Sequence, residues 1–280
     1  MNYRHAFHAA NFADVLKHAV LARILAHLRQ KEAGFRVIDT HAGIGLYDLA
    51  GDEAGRTGEW RGGLGRVLDA ALPAATSDFL APWLAEVRAA NAGPEIALYP
   101  GSPLIAAQML RPQDTLVANE LHPEDHATLA AVLGKDAKVM SLDGWTAVKS
   151  LLPPPERRGL LLIDPPFEQP GEFDRLARAL TDAHRRFATG IQLLWYPLKD
   201  PQAVESFIDR VEATGIPRIL RLEHWTRRVT PDGPLVAAGM LVVNPPWTLA
   251  DDAKAALPGL TEALATGPGA GWRVGWVAGE

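Results

Sequence analysis

The sequence predicts an α/β fold: a mostly parallel sheet, covered by helices on both faces, with an antiparallel strand at its end. Three observations predict it. Short β-branched or leucine-rich runs, "FRVIDT", "DTLVANE", "AKVMSLD", "GLLLIDPP" and "IQLLWYP", alternate with stretches of helical periodicity, the order that builds a parallel sheet. Three of those runs end in an acid, Glu120, Asp143 and Asp164, each about one strand–helix unit from the next. The last two runs, "RILRLEHWT" and "AAGMLVVN", are joined by a loop containing "TPDGP", which pairs them antiparallel.

The elements follow in order. In "ADVLKHAVLARILAHLRQK" the apolar residues Val15, Leu16, Val20, Leu21, Ile24, Leu25 and Leu28 recur at helical spacing, which reads as an amphipathic helix. "FRVIDTHAGIG" is a strand running into a glycine turn. The stretch from Gly45 to Glu120 is far longer than one crossover. Structureless loops of that length are rare, so residues 51–99 are expected to form an inserted, mostly helical subdomain, with "AGDEAGRTGEWRGG" as a loop and "SDFLAPWLAEVRAANAG" as a short helix. Residues 1–50 and 100–280 then make the main domain with an N-terminal arm and helix. In "PGSPLIAAQML" Ser102 suits a helix cap and Pro103 the first turn. "PEDHATLAAVL", "GEFDRLARALTDAHRRF" and "DPQAVESFIDRVEAT" are the remaining helices.

Composition narrows the function classes. The chain has 280 residues, 48% hydrophobic and 22% charged, which suits a globular protein with a substantial core. No apolar run approaches the length of a membrane span, and "MNYRHAFHAANFADVLKH" lacks an export signal's apolar core. Zero cysteines exclude disulfides and thiolate metal sites and agree with a cytoplasmic setting. A net charge of −5 argues against indiscriminate coating of nucleic acid. The charge is uneven, however. Arg4, Lys17, Arg23, Arg29, Lys31 and Arg36 face only Asp14 and Glu32 in the same tract, and Arg218, Arg221, Arg227 and Arg228 surround a single glutamate, Glu223. Solvated faces and local patches for an anionic partner both fit such runs.

Two strand ends resemble each other: "LLLIDPPFE" and "LVVNPPW". In a doubly wound sheet the carboxyl ends of the parallel strands share one edge, where ligands bind. Glu120, Asp143 and Asp164 therefore line one crevice. An antiparallel last strand places its "NPPW" at the opposite edge, which makes Asn244 a structural turn and Asp164 the chemical residue.

"DPPF" suits a flat amine. Each proline fixes its φ and presses the preceding residue into extended backbone. Asp164 and the backbone carbonyls are thus held as acceptors for two N–H groups, with Phe167 as a face for the ring. Drawing both hydrogens out of the ring plane frees the nitrogen lone pair, and Asp164 is positioned to assist proton loss. "DTHAGIG" places Asp39 at a strand end and Gly43 and Gly45 in a turn that lets backbone approach a ligand. The third glycine of a dinucleotide fingerprint is absent, which disfavours a nicotinamide dehydrogenase. Glu120 suits either ribose hydroxyls or the cap of the helix after "HPED". His5 and His8 have no clear third and fourth ligands, so no metal site is expected.

A glycine turn rooted in Asp39, acids one and two strands on, and then "DPPF" resemble the S-adenosylmethionine-dependent N6-adenine methyltransferases. "NYRHAFHAANFADVLKH", "RTGEW", "YPGSPLIA", "ELHP", "RRGLLLIDPPFE", "RRFATG", "LWYP" and "NPPW" extend the resemblance over nearly the whole chain to the RlmJ family, bacterial enzymes that methylate N6 of one adenine in 23S ribosomal RNA. The resemblance implies a Rossmann-like class I methyltransferase fold: a mostly parallel seven-stranded sheet with an antiparallel last strand and a small helical insertion. It implies S-adenosylmethionine as cofactor, held by His18, His41, Gly43, Ser102, Glu120, Asp143 and Gly144. It assigns catalysis to Asp164 with Pro165 and Phe167, and contact with the RNA to Tyr3, with Arg4 and Lys17 beside it. Phe167 stands where many relatives carry tyrosine; the ring is kept and only a hydroxyl is lost.

The resulting expectation is a cytoplasmic RNA N6-adenine methyltransferase whose partner is 23S ribosomal RNA, protein-free or early in assembly, with the target base flipped into the "DPPF" pocket. No membrane and no metal are called for. Methylation of DNA adenine or of a protein glutamine amide uses the same clamp, although a DNA enzyme would carry a recognition domain larger than residues 51–99. A non-catalytic RNA-binding module is the rival from another class, and the intact Asp164, Pro165, Pro166 and Phe167 speak against it.

Overall fold

The computed structural model describes residues 5–230 and 233–279; Tyr3 and Arg4 lie outside the described residues. Five strands run parallel: β1 (Arg36–Asp39), β4 (Thr115–Asn119), β5 (Lys138–Met140), β6 (Gly159–Ile163) and β7 (Ile191–Pro197). Strands β8 (Ile219–Trp225), β9 (Ala237–Val243) and β10 (Gly271–Ala278) complete the sheet, in the order β10-β8-β9-β7-β6-β1-β4-β5. β9 is antiparallel to both neighbours, so β8 returns to the direction of the parallel set. The sheet has eight strands where seven were expected, because "GWRVGWVA" adds β10 antiparallel to β8 at one edge. A separate two-stranded ribbon pairs β2 (Leu46–Asp48) with β3 (Leu98–Pro100).

The central strands are buried along their length, as continuous apolar runs such as "GLLLI" require. Gly159 opens β6 because a Cβ there would lie 2.0 Å from the Arg36 carbonyl oxygen. Polarity separates the two proline pairs. Asp164 follows β6 at the carboxyl edge, while Asn244 follows β9 at the opposite one, its amide donating to the Ala188 and Gly190 carbonyls just before β7. Asn244 adopts φ +52°, a turn geometry that asparagine tolerates. It is the structural member of the pair.

Helix α1 (Phe12–Leu28) starts where the Asn11 side chain accepts from the Ala13 and Asp14 amides. It is not amphipathic. Asp14, Lys17 and His18 are buried together with its apolar residues, because helices cover the side turned away from the sheet. The cover comes from the segment after the first strand. Its "loop" is helical, as α2 (Asp52–Thr57) and a 3₁₀ turn over Glu59–Gly62, and α3 (Leu64–Asp69) follows it; its "short helix" is the sixteen-residue α4 (Ala74–Ala89) with Pro82 inside. Phe79, Leu80 and Trp83 of α4 join α1 and α10 (Leu249–Leu264) in one core with that face of the sheet. Helices α8 (Glu172–Arg186) and α9 (Pro201–Glu212) cover the other face. α5 (Ser102–Met109), α6 (Pro123–Leu133) and α7 (Gly144–Ser150) supply the remaining crossovers.

Both arginine-rich tracts are dispersed by this fold. Arg23 pairs with Asp252 and Arg36 with Glu156. Arg221 is buried in a network with Glu205, Glu223 and Tyr196. Arg218 precedes β8, whereas Arg227 and Arg228 follow it at the carboxyl edge.

On the other face of β8, His224 packs beneath Phe12 with neither ring nitrogen hydrogen-bonded among the described residues. Burial lowers its pKa to about 4. The unfolded chain then takes up a proton below about pH 6.5 that the folded chain refuses, so His224 removes stability progressively as pH falls from 6.5 towards 4. For His224→Leu, urea unfolding is expected to show a gain over the parent of about 2 kcal/mol at pH 5 beyond any difference at pH 7.5. Parallel pH profiles for the two proteins would refute this role for His224.

Candidate active site

Each parallel strand delivers its C-terminal residues to one edge, and a cavity of about 1200 Å³ opens there. It is lined by Glu120 after β4, Asp143 before α7 and Asp164 after β6, together with His18 and Lys17 from α1. The three acids predicted to share a crevice do share it.

On the side of β1, β4 and β5, Asp39 is fully buried and accepts from the Ser102 hydroxyl at 2.6 Å. Burial pushes its carboxyl up to about 7 despite that donor. Ser102 is therefore not a cap: Gly101 precedes the helix, and the serine is its first residue, turned to the end of β1. Glu120 accepts from the Gly43 amide at 2.9 Å and the His122 amide at 2.8 Å, which joins the glycine turn to the β4 end. Gly43 has φ +63°, and a Cβ there would meet the Tyr47 hydroxyl at 2.3 Å. Its missing side chain thus makes room for Tyr47, with the backbone amide facing Glu120. His41 bonds Thr40 through Nδ1 at 2.9 Å and meets Trp145 edge-on at 5.6 Å. Gly144 is glycine because a Cβ would lie 2.3 Å from His41 Nε2. Asp143 caps α7 by accepting from the Thr146 amide. His18 shares a 2.6 Å hydrogen bond with Tyr99 and stacks on its ring. Burial lowers His18 to about 3 and His41 to about 4, so both are neutral at pH 7.

On the side of β6 and β7, the Lys17 ammonium is 2.8 Å from Asp14 Oδ1 and 2.5 Å from Asp164 Oδ2, and only 4% of its side chain is exposed. Burial opposes its charge, but the two carboxylates outweigh that and raise its pKa. Lys17 is thus directed at Asp164 rather than at the surface. Asp14 also accepts from the Ala10 amide at 2.8 Å and pairs with His5 at 3.0 Å, which ties the N-terminal segment to the same chain of charges. Asp14 went unremarked as a site residue in the sequence; its i,i+3 spacing to Lys17 was the available signal. Asp164 Oδ1 has no hydrogen-bond partner among the described residues. Phe167 sits at φ +51°, a conformation bulky residues avoid and functional sites tolerate. Its ring meets Phe173 at 4.9 Å and Trp195 at 6.0 Å, both edge-on. In the second proline pair Trp247 is 80% exposed at the far edge. Trp195, unmarked by strand periodicity, joins the site because β7 ends beside β6; Lys17 lies 6.0 Å over its ring.

Comparison with known proteins bears on this geometry. Residues 32–278 match the family model described as ribosomal RNA large subunit methyltransferase D, RlmJ. The chain is 42% identical over 284 residues to the ribosomal RNA large subunit methyltransferase J of Haemophilus influenzae, and 41% identical over 286 residues to that of Escherichia coli K12, with both chains covered in full in each case. The crystal structure of a protein from Legionella pneumophila superposes with a TM-score of 0.86 at 32% identity, covering 96% of this chain and 98% of that one. With a methyltransferase-type sheet, acids on three adjacent strand ends and "DPPF" at the same edge, the chain belongs to the RlmJ family of ribosomal RNA large subunit methyltransferases.

Proposed function

We propose that this protein methylates the N6 amine of one adenine in 23S ribosomal RNA in the cytoplasm, with the target base turned out of its stack into the cavity beside Asp164. The observation that carries the proposal is the Asp164 carboxylate: one oxygen is fixed by Lys17, and the other has no partner among the described residues. It stands between two prolines and an edge-on cluster of Phe167, Phe173 and Trp195.

The cofactor is S-adenosylmethionine, and the β1–β5 side of the cavity fits it. That side offers the carboxylates of Glu120 and Asp143 to hydroxyl and amine donors, and no lysine or arginine from it lines the cavity among the described residues. Gly43, Ser102, Glu120, Asp143 and Gly144 would hold the group, with the neutral imidazoles of His18 and His41 beside it. When bound, it supplies a methyl group on a cationic sulfonium, open to attack by an amine. Asp164 Oδ1 and the Pro165 carbonyl accept the two N6 hydrogens and turn the amine lone pair away from the purine ring. As positive charge builds on N6, the adjacent Asp164 carboxylate stabilises it and takes up the proton that the nitrogen loses as the N–C bond forms. The aromatic cluster offers apolar surface to the flipped base.

The test is methyl transfer from labelled S-adenosylmethionine to protein-free 23S ribosomal RNA, read by nucleoside mass spectrometry with DNA alongside. N6-methyladenine in RNA alone is the expected product. Transfer to DNA or to protein amides instead would overturn the proposal, and transfer only to ribosomal particles would move the substrate to a later assembly stage.

Asp164→Asn keeps the shape and removes the charge. It is expected to lower kcat by roughly 10²–10⁴-fold while S-adenosylmethionine affinity, measured by calorimetry, stays within about threefold of the parent. Gly144→Ala drives a methyl group into the His41 ring; the clash, about 1–3 kcal/mol, is expected to lower the melting temperature by a few degrees, and the displaced imidazole to weaken cofactor binding roughly tenfold. Unaltered affinity in that variant would remove the His41–Gly144 contact from the cofactor site.

A further inference from the structure

The cavity is lined by acids on both sides and by open cations on one. Its β1–β5 side contributes the acids Glu120, Asp125 and Asp143. Apart from the interior Lys17, the lysines and arginines among the described lining residues are Arg175, Lys199 and Arg227, and all lie on the other side. They come from three successive units of the sheet: Arg175 from the first turn of α8 after β6, Lys199 from the turn after β7, and Arg227 from the turn after β8. All three are exposed. None has a carboxylate within ion-pair distance among the described residues, unlike Lys17, Arg23, Arg36 and Arg221.

The acids that line the cavity on that side are Asp164, Glu168, Glu172 and Asp200. Asp200 accepts from the Gln202 and Ala203 amides as the cap of α9. Glu59 is held by His8 and Asn11. Glu172 is buried one turn before Arg175. In a chain of net charge −5, three exposed cations without an ion-pair partner among the described residues thus stand along one lip of the cavity.

We propose that Arg175, Lys199 and Arg227 form a phosphate-holding rim that seats the single-stranded RNA flanking the target base. This proposal rests on the RNA-substrate reading above and deepens it. Presenting a flipped base to Asp164 leaves the flanking backbone at the mouth of the cavity, and the lip that carries Arg175, Lys199 and Arg227 is the one with open cations to hold it. Contacts of this kind position the strand without reading its sequence. They also make binding steeply salt-dependent, with about 0.7 of a unit in the slope of log K against log salt for each phosphate contacted on a single strand.

The experiment compares Arg175→Ala/Lys199→Ala/Arg227→Ala with a control carrying Lys31→Ala/Lys135→Ala/Arg186→Ala. The control removes the same charge from the approaches to β1, β5 and β7 at the opposite edge. Methyl transfer to protein-free 23S ribosomal RNA is followed across a salt series, and S-adenosylmethionine binding is measured by calorimetry. The rim variant is expected to raise the KM for RNA roughly tenfold or more at moderate salt and to flatten the salt slope of kcat/KM by about two units. Its cofactor Kd should match the parent, and exchanging lysine for arginine and arginine for lysine at the three positions should restore most of the lost affinity. The control should leave KM within about twofold of the parent. A rim variant with parental KM and slope, or a control that loses as much, overturns the rim while the parent's RNA methylation stands. A parent that transfers no methyl group to RNA overturns the substrate reading and the rim with it.

Discussion

A lysine ammonium and two carboxylates lie together below the surface at the end of β6, and the rest of the structure is arranged to make that tolerable. Each such ion gives up several kcal/mol of hydration on burial, which is regained only with close geometry and further hydrogen bonds. Lys17 meets both conditions through contacts of 2.8 Å to Asp14 and 2.5 Å to Asp164, and Asp14 gains the Ala10 amide and His5 besides. Removing the ammonium alone would leave two carboxylates facing each other with no cation between them. The group that orients Asp164 is thus also a condition for folding the segment that carries it.

That constraint fixes the position of α1, and α1 in turn explains the helices of residues 52–89. A helix with Asp14, Lys17 and His18 facing inward cannot keep a solvated face along those residues, so α4 and the side chains of Phe79, Leu80 and Trp83 close over it. Tyr99, at the end of this segment, bonds His18, and Glu59 within it bonds His8 and Asn11. The helices between the first and fourth strands therefore complete the wall of the cavity as well as the core, in the same way that the polarity of β9 clears the second proline pair from the catalytic edge.

What the sequence reveals of this arrangement is what depends on short-range pattern. Strand–helix alternation, with acids one unit apart, locates Glu120, Asp143 and Asp164 on one edge because parallel strands all point their carboxyl ends the same way. The direction of "AAGMLVVN" follows from its pairing, and it separates Asp164 from Asn244. Pairings across long stretches of chain are not legible. Nothing in the periodicity of α1 shows that Lys17 meets a carboxylate 147 residues later, so its buried polar residues look like a solvated stripe. Serine before proline fits both a cap and a first helical residue; Asp39, 63 residues earlier, decides between them. The glycines of "WRVGWVAG" interrupt the alternation of β10, a partly exposed edge strand, which leaves it without a clear strand signature.

The dispersal of the basic tracts bears on how an acidic protein selects a polyanion. Had the cations of the N-terminal tract and of β8 remained solvated, they would have formed a diffuse attractive field and held RNA in many orientations. Instead Lys17, Arg23, Arg36 and Arg221 are bound to carboxylates, and their attraction for phosphate is largely cancelled at short range. With a net charge of −5, most of the surface then offers RNA little, and the open cations beside the cavity count for more than their number suggests. On the function proposed above, the open cations beside the cavity would hold RNA where a base is presented to Asp164, while Lys17, Arg23, Arg36 and Arg221 are cancelled within the fold.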